Sequence, residues 1–188
     1  MAINRSRPAY NREFNRQKLE QVLLFFLHRA NNPLLGKTKL MKLVYFADFD
    51  HFEEYETSIT GARYRKLPQG PVPDEGMDAI SNLEHNGRVS RTDIQKGSYI
   101  QHQYTPNEEV DLSLFSPTEI AVLEKVAARW REHSTEQIVS ATHGEAPWVA
   151  VGMHREIPYY LAHYRNNFGA LELDEDEALL DEDEVFAR

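Results

Sequence analysis

The chain has 188 residues, 41% hydrophobic and 27% charged, which is enough apolar content for one domain with a buried core. It contains no cysteine, which excludes disulfides, thiolate metal sites and cysteine nucleophiles, and no apolar run near the roughly 18 residues of a membrane span. The net charge of −9 is uneven: residues 172–184 hold nine carboxylates, while residues 1–18 hold five arginines and lysines against Glu13.

These charges divide the chain into a basic, flexible arm (1–14), a folded domain (15–165) and an acidic tail (166–188). The arm lacks the apolar stretch of a secretory signal, and with the absent cysteine this predicts a cytoplasmic protein. Leu19, Val22, Leu23, Phe26 and Ala30 recur at helical spacing and predict a helix over Asn15–Ala30, stopped by Asn31-Asn32-Pro33. A second helix is predicted over about 37–55. Its middle, Leu40 to Ala47, is apolar nearly all round, the mark of a helix packed on more than one side. Pro68, Pro71 and Pro73 then forbid a regular helix between Thr57 and Pro73, and Gly70-Pro71 marks a turn. A short third helix follows, with Met77, Ile80 and Leu83 on one face and Gly87 past its end. Arg88–Asp93 and Tyr99–Tyr104 read as two strands joined by the turn residues Gln95–Ser98.

Ser116-Pro117-Thr118-Glu119 is a capping box that opens a fourth helix, whose Ile120, Leu123, Val126, Ala127 and Trp130 form a buried face. Ser134-Thr135-Glu136-Gln137 repeats the pattern for a fifth helix that fades at His143-Gly144, and Pro147 opens a last short turn. The expected fold is α+β and mostly α: a compact helical bundle around the central apolar helix (about 37–55) with a small antiparallel β-hairpin (about 88–104). The tail has two readings. It is a solvated end, or an acidic segment whose Leu171, Leu173, Leu179, Leu180, Val185 and Phe186 anchor it on a basic partner.

No phosphate loop, dinucleotide fingerprint, zinc-protease motif or nucleophile elbow is present. None of the eight histidines pairs with another at the i, i+4 spacing of zinc enzymes. His143-Gly144-Glu145 comes nearest to a ligand pair and reads instead as a helix end, so no metal and no cofactor is expected. Asp48, Asp50, Glu53 and Glu54 read as the exposed end of the second helix rather than as acid/base carboxylates. Lys37, Lys39, Lys42, Arg63, Arg65 and Lys66, interleaved with Tyr45 and Tyr64, offer a nucleic-acid surface. Against it, the second helix is too apolar for a groove and phosphate repels the acidic tail.

Four motifs carry a resemblance. Lys39-Leu40-Met41-Lys42-Leu43-Val44-Tyr45-Phe46-Ala47-Asp48 is similar to the first helix motif of Panacea (SocA-like) antitoxin domains, also known as phage-associated proteins. Ile59-Thr60-Gly61-Ala62-Arg63-Tyr64 with Leu67-Pro68-Gln69-Gly70-Pro71-Val72-Pro73 resembles the second motif. Phe115–Glu119 and His143-Gly144-Glu145-Ala146-Pro147-Trp148 resemble the two C-terminal ones. The resemblance covers about Leu19–Val151. It implies a non-enzymatic antitoxin that binds a cognate protein toxin encoded by an adjacent gene, or delivers it to a ClpXP-type protease. The alternative is a phage-associated, nucleic-acid-binding regulator. Within the motifs, Leu40, Leu43 and Phe46 are expected in the core. Gly61 and Gly70 are expected to supply backbone freedom, Pro71 and Pro73 rigidity, and Trp148 a buried anchor. Tyr45, Asp48, Tyr64, Arg65, His143 and Glu145 are expected to be partly exposed and to form the toxin-binding face.

Overall fold

A helix without a polar face must be covered on every side, and the second helix, α2 (Lys37–Tyr55), is the axis of the molecule for that reason. In the computed structural model, which describes residues 13–30 and 35–165, every residue from Lys39 to Phe49 is buried. The basic arm up to residue 12 and the acidic tail from residue 166 lie outside the described residues. Helices α1 (Arg16–Arg29), α4 (Pro117–Trp130) and α5 (Thr135–His143) pack directly on α2, and α3 (Gly76–His85) packs on α1. Leu19, Val22, Leu23, Phe26 and Ala30 are fully buried as their spacing predicts, but burial runs unbroken from Leu19 to Leu27. The cause is that α1 has α2, α3 and α4 around it, so even Glu20 and Gln21 are covered.

The capping chemistry places the helix starts. The Asn15 side chain accepts from the Lys18 N–H at α1, and both predicted capping boxes form, Ser116 with Glu119 and Ser134 with Gln137. In α3 the buried face is Gly76, Ala79, Ile80 and Leu83, and Met77 is 37% exposed. The face is therefore rotated by one residue from the one the apolar pattern predicts. Gly76 starts the i, i+3, i+4, i+7 row, and having no side chain it leaves no trace in a hydrophobic pattern.

Two small antiparallel sheets complete the fold. The predicted hairpin is β3 (Val89–Lys96) and β4 (Tyr99–Pro106), longer than expected and buried mainly at its base through Val89 and Tyr104. The proline-rich stretch, which shows no strand signal, forms β1 (Tyr64–Leu67) and β2 (Gly70–Pro73), with β5 (Glu156–Ile157) added in the order β2-β1-β5. The prolines fit because β2 is an edge strand and Pro71 and Pro73 occupy its non-hydrogen-bonded positions. The Asp74 N–H donates to the Arg63 carbonyl, which sets the bonded pairs at Arg65–Val72 and Leu67–Gly70. The chain then runs through α6 (Ala146–Val149), which has Pro147 in its first turn, to a 3-10 helix (Tyr159–Tyr164) that lies back on α2. The result is the expected mostly helical α+β fold.

Two motif glycines are fixed by geometry. Gly61 has φ +68°, and a Cβ there would fall against the Glu13 carbonyl, well inside van der Waals contact. Gly70 has φ +91°, and its missing Cβ leaves room for the Thr142 hydroxyl and the Lys42 side chain. Gly87 provides a control, with φ +69° and nothing within 4 Å of the place a Cβ would take. In urea unfolding, Gly87→Ala should cost about 1 kcal/mol for its backbone alone, and Gly61→Ala at least about 2 kcal/mol. Equal costs would show that the contact with residue 13 carries no weight.

Candidate functional site

The motif residues assemble around the buried side of α2. Asp48 is fully buried, and its carboxylate accepts four hydrogen bonds. The Thr60 N–H donates at 2.7 Å, the Thr60 hydroxyl at close range and Tyr64 Oη at 2.6 Å, while Tyr159 Oη, whose shorter bond at 2.8 Å goes to the Ala62 carbonyl, shares its proton with Asp48 at 3.3 Å. Burial raises the Asp48 pKa, with the Thr60 and Tyr64 hydrogen bonds pulling the other way. Tyr64 is raised well above its ordinary value by burial and then by the Asp48 charge, so its phenol stays a donor. The same rings pack on one another: Tyr45 lies 4.4 Å from Phe49, and Phe49 stacks on Tyr159 at 4.8 Å. One carboxylate thus ties α2, the loop before β1, β1 itself and the closing 3-10 helix together.

A second cluster draws on α2 to either side of Asp48, through Tyr45 before it and Asp50 and Glu53 after it. Tyr45 Oη donates to Glu145 Oε2 at 2.7 Å. Arg165 donates through Nε and Nη2 to Glu145 Oε1 at 2.9 and 2.6 Å, and through Nη1 to Asp50 and, at 3.4 Å, to Glu53. The Arg165 side chain is only 5% exposed. Burial disfavours its charge, but Glu145, Tyr45 and Asp50 outweigh that and hold its pKa above the ordinary value. Glu145 is raised by burial, and Arg165 opposes the rise.

Around the β1–β2 turn the lysines point inward. The Lys42 ammonium, fully buried, donates to the Pro71 carbonyl at 2.6 Å; Lys39 donates to the Arg131 carbonyl at 2.9 Å and to that of His133; Lys66 donates to the Val151 carbonyl at 2.8 Å. Lys66 also lies 3.9 Å above the Trp148 ring, which stacks on His143 at 4.0 Å and donates its indole N–H to the Leu67 carbonyl at 3.4 Å. His143 is lowered by burial and by the Lys42 and Lys66 charges, which keeps it neutral. A groove of about 500 Å³ opens beside Lys42, between Met41, Leu67, Val72 and Met77.

Three of the six residues expected at a partly exposed face are not exposed. Tyr45, Asp48 and Tyr64 are at 0, 0 and 1%. Each is a polar tip on a side chain that α2 or β1 directs into the core, where it finds a partner. His143 and Glu145 are half-buried, and Arg65 is exposed on β1 in a bidentate pair with Asp74 at 2.9 and 2.8 Å. The structure unites Asp48 with Tyr64, and Tyr45 with Glu145, but sets Arg65 and His143 apart from both pairs. Leu40, Leu43 and Phe46 are core, whereas Trp148 is half-buried rather than fully covered. Asp48 also leaves the expected exposed end of α2, where Glu54 alone of the four carboxylates is freely exposed. Thr60, Tyr159 and Arg165 are site residues that no sequence signal singles out. Thr60 lies inside a motif but nothing there sets it apart from its neighbours, and Tyr159 and Arg165 carry no local signal. No group of three or more candidate metal ligands occurs among the described residues.

Lys42 gives a titration that can be followed. Burial lowers its pKa from 10.5 to about 7, so between those values the unfolded chain holds more protons and stability rises with pH. Below about pH 7 the buried charge weakens the fold. In urea unfolding from pH 6 to 10, the wild type should gain up to about 1.4 kcal/mol per pH unit over Lys42→Met within that window. Parallel profiles for the two proteins would show that Lys42 stays charged throughout.

Residues 40–149 match the family model described as Antitoxin SocA-like, Panacea domain. No curated protein and no solved structure matches the chain. The matched span runs from α2 through α6 and includes Asp48, Thr60, Tyr64 and Glu145, whereas Tyr159 and Arg165 lie beyond it. It takes in well over half of the chain, together with the helix and the turn that organise the core, and the chain belongs to the SocA-like antitoxin family of Panacea domains.

Proposed function

We propose that this protein is the antitoxin of a toxin–antitoxin pair and neutralises a protein toxin, encoded by an adjacent gene, through direct contact in the cytoplasm. Membership of the SocA-like antitoxin family is the observation that carries the reading. The chemistry of the motifs supports it. Their polar groups, Lys42, Tyr45, Asp48, Thr60, Tyr64 and Glu145, are engaged in hydrogen bonds that shape the domain, the use expected of a binding scaffold rather than of a catalyst. Among the described residues no helix is long and apolar enough to cross a membrane. Toxin contact falls to surfaces this scaffold presents, and Arg65 and the half-buried His143 and Glu145 remain the candidate contacts.

Co-expressed with the neighbouring gene, the protein should restore growth that the neighbour alone abolishes, and the two should co-elute on size exclusion. Rescue that disappears in cells lacking ClpXP would assign delivery to the protease instead of blockade by binding. Growth arrest that persists with both proteins present in the soluble fraction would remove the antitoxin reading.

The competing regulator depends on cations that phosphate can reach. Lys39, Lys42 and Lys66 are buried on backbone carbonyls, Arg65 is held by Asp74, and the exposed Arg63 faces Asp74 and Glu75, which leaves the half-buried Lys37 of the six. Generic duplex DNA should therefore bind with a Kd of about 10⁻⁴ M or weaker at physiological salt. A sequence-dependent gel shift at nanomolar protein would favour the regulator.

A further inference from the structure

We propose that β3 pairs along its free edge with β3 of a second copy of this chain, antiparallel and with Thr92 on the two-fold axis, so that the two hairpins form one four-stranded sheet in the order β4-β3-β3-β4. The inference stands on the hairpin alone and is independent of the antitoxin reading.

The two sheets treat their edges differently. In β2 the outward-facing positions are Pro71 and Pro73, which have no N–H to offer, and the Pro71 carbonyl is taken by Lys42. β5 is only two residues long, and β4 lies against α1 and α2. β3 has none of these protections. It runs for eight residues without proline, its one-to-one register with β4 has no bulge, and six of its residues are exposed. The Asn107 N–H donates to the Arg88 carbonyl, which sets the bonded pairs of this hairpin at Ser90–Thr105, Thr92–Gln103 and Ile94–Gln101. The N–H and C=O groups of Arg91, Asp93 and Gln95 therefore point away from β4, and no hydrogen bond reaches them among the described residues. An open, straight ladder of this length is a template that a further strand completes.

The charges on this edge select the strand. Open groups meet open groups only when the two-fold axis falls on a residue, because an odd offset faces them with groups already bonded to β4. With the axis on Thr92, Arg91 lies opposite Asp93 of the second copy, and Asp93 lies opposite Arg91 of the second copy. Arg91-Thr92-Asp93 is thus its own complement when read antiparallel. An axis on Arg91 or Asp93 sets like charges face to face, and one on Ile94 leaves Asp93 opposite Gln95 and Arg91 opposite Gly97 in the turn. Within one copy Arg91 Nε already lies 3.1 Å from Asp93 Oδ1, with the two side chains 41 and 44% exposed. Pairing with a second copy closes these charges into a square of alternating sign. On the other face the two Thr92 side chains meet, a favourable cross-strand pair. Arg88, which falls opposite Lys96, is occupied by Glu20 and Glu108. The contact is one strand wide, which places it among weak, concentration-dependent associations.

The test follows the mass of the full chain in solution by sedimentation velocity, from micromolar to near-millimolar protein. The wild type should move from one chain mass toward two as concentration rises. Asp93→Pro removes an outward N–H at a position that makes no bond to β4, so the circular dichroism should stay that of the wild type while association weakens at least about tenfold. Asp93→Arg sets arginine opposite Arg91 and should weaken association likewise. Adding Arg91→Asp to Asp93→Arg makes the strand self-complementary again and should bring association back to within about threefold of the wild type. A wild type that stays monomeric throughout, or a double variant that associates no better than Asp93→Arg, would overturn the pairing.

Disulfide trapping reads the register, since the chain has no cysteine of its own. Thr92 faces Thr92 of the second copy in a non-bonded pair, where Cα atoms lie about 4.5 Å apart and within reach of a disulfide. Thr92→Cys should therefore oxidise to a covalent dimer, whereas Ser90→Cys, which faces Ile94 of the second copy, should not. Equal trapping at both positions, or trapping at Ser90 alone, would overturn the register. If the wild type is monomeric and Asp93→Pro instead loses binding to the product of the neighbouring gene, the edge takes a strand of that protein, and a second copy is overturned as its occupant.

Discussion

A carboxylate with no access to water sets the terms for the rest of this fold. Asp48 points from the most apolar helix of the chain into its interior, and an unpaired charge there would cost several kcal/mol. Four donors meet it, and they come from the loop before β1, from β1 and from the closing 3-10 helix. Each hydrogen bond to a charged group contributes about 1.5–3 kcal/mol. The requirement to complete this shell therefore fixes where those three segments lie on α2. Gly61 follows from it, since the chain must turn sharply between Thr60 and Tyr64 while residues 13–15 pass close by.

The lysines of α2 and β1 follow the same logic with the sign reversed. Lys39, Lys42 and Lys66 lay aliphatic stems against the core and end on carbonyls of the α4 terminus, the edge strand and the chain after α6. Those carbonyls belong to irregular or terminal backbone with no partner in a regular ladder, and an inward lysine satisfies them without a water. Half of what resembles a basic patch in the sequence, Lys39, Lys42 and Lys66, is thus internal wiring, while Lys37, Arg63 and Arg65 stay at the surface. The surviving surface charge on β1 is Arg65, already paired with Asp74.

Together these networks give a rigid scaffold with a few half-open polar places on it. The Glu145 turn is the most informative of them. It closes the motif region, it borders the Asp48 core through Tyr45, and its carboxylate receives a cation from beyond the family-matched residues. A protein whose work is contact with another protein needs such places, where a charge is fixed by the fold and still within reach from outside.

Much of the architecture is legible in the sequence because local rules decide it. The helix limits at Lys37–Tyr55 and Pro117–Trp130, the two capping boxes and the β3–β4 hairpin follow from periodicity and from side chains that bond their own backbone. The β1–β2 hairpin is not legible, because proline argues against a strand until one knows that the strand is an edge with its prolines at non-bonded positions. The polar motif residues mislead for a related reason. Polarity predicts exposure only when no partner exists inside, and the partners of Asp48 and Glu145 include Tyr159, 111 residues from Asp48, and Arg165, 20 residues from Glu145. Helices, their ends and the family motifs can be read from the chain alone, since all of them depend on neighbours within a few positions. Which charges are buried is settled only by the folded molecule, since burial of a charge depends on donors and acceptors that arrive from distant parts of the chain.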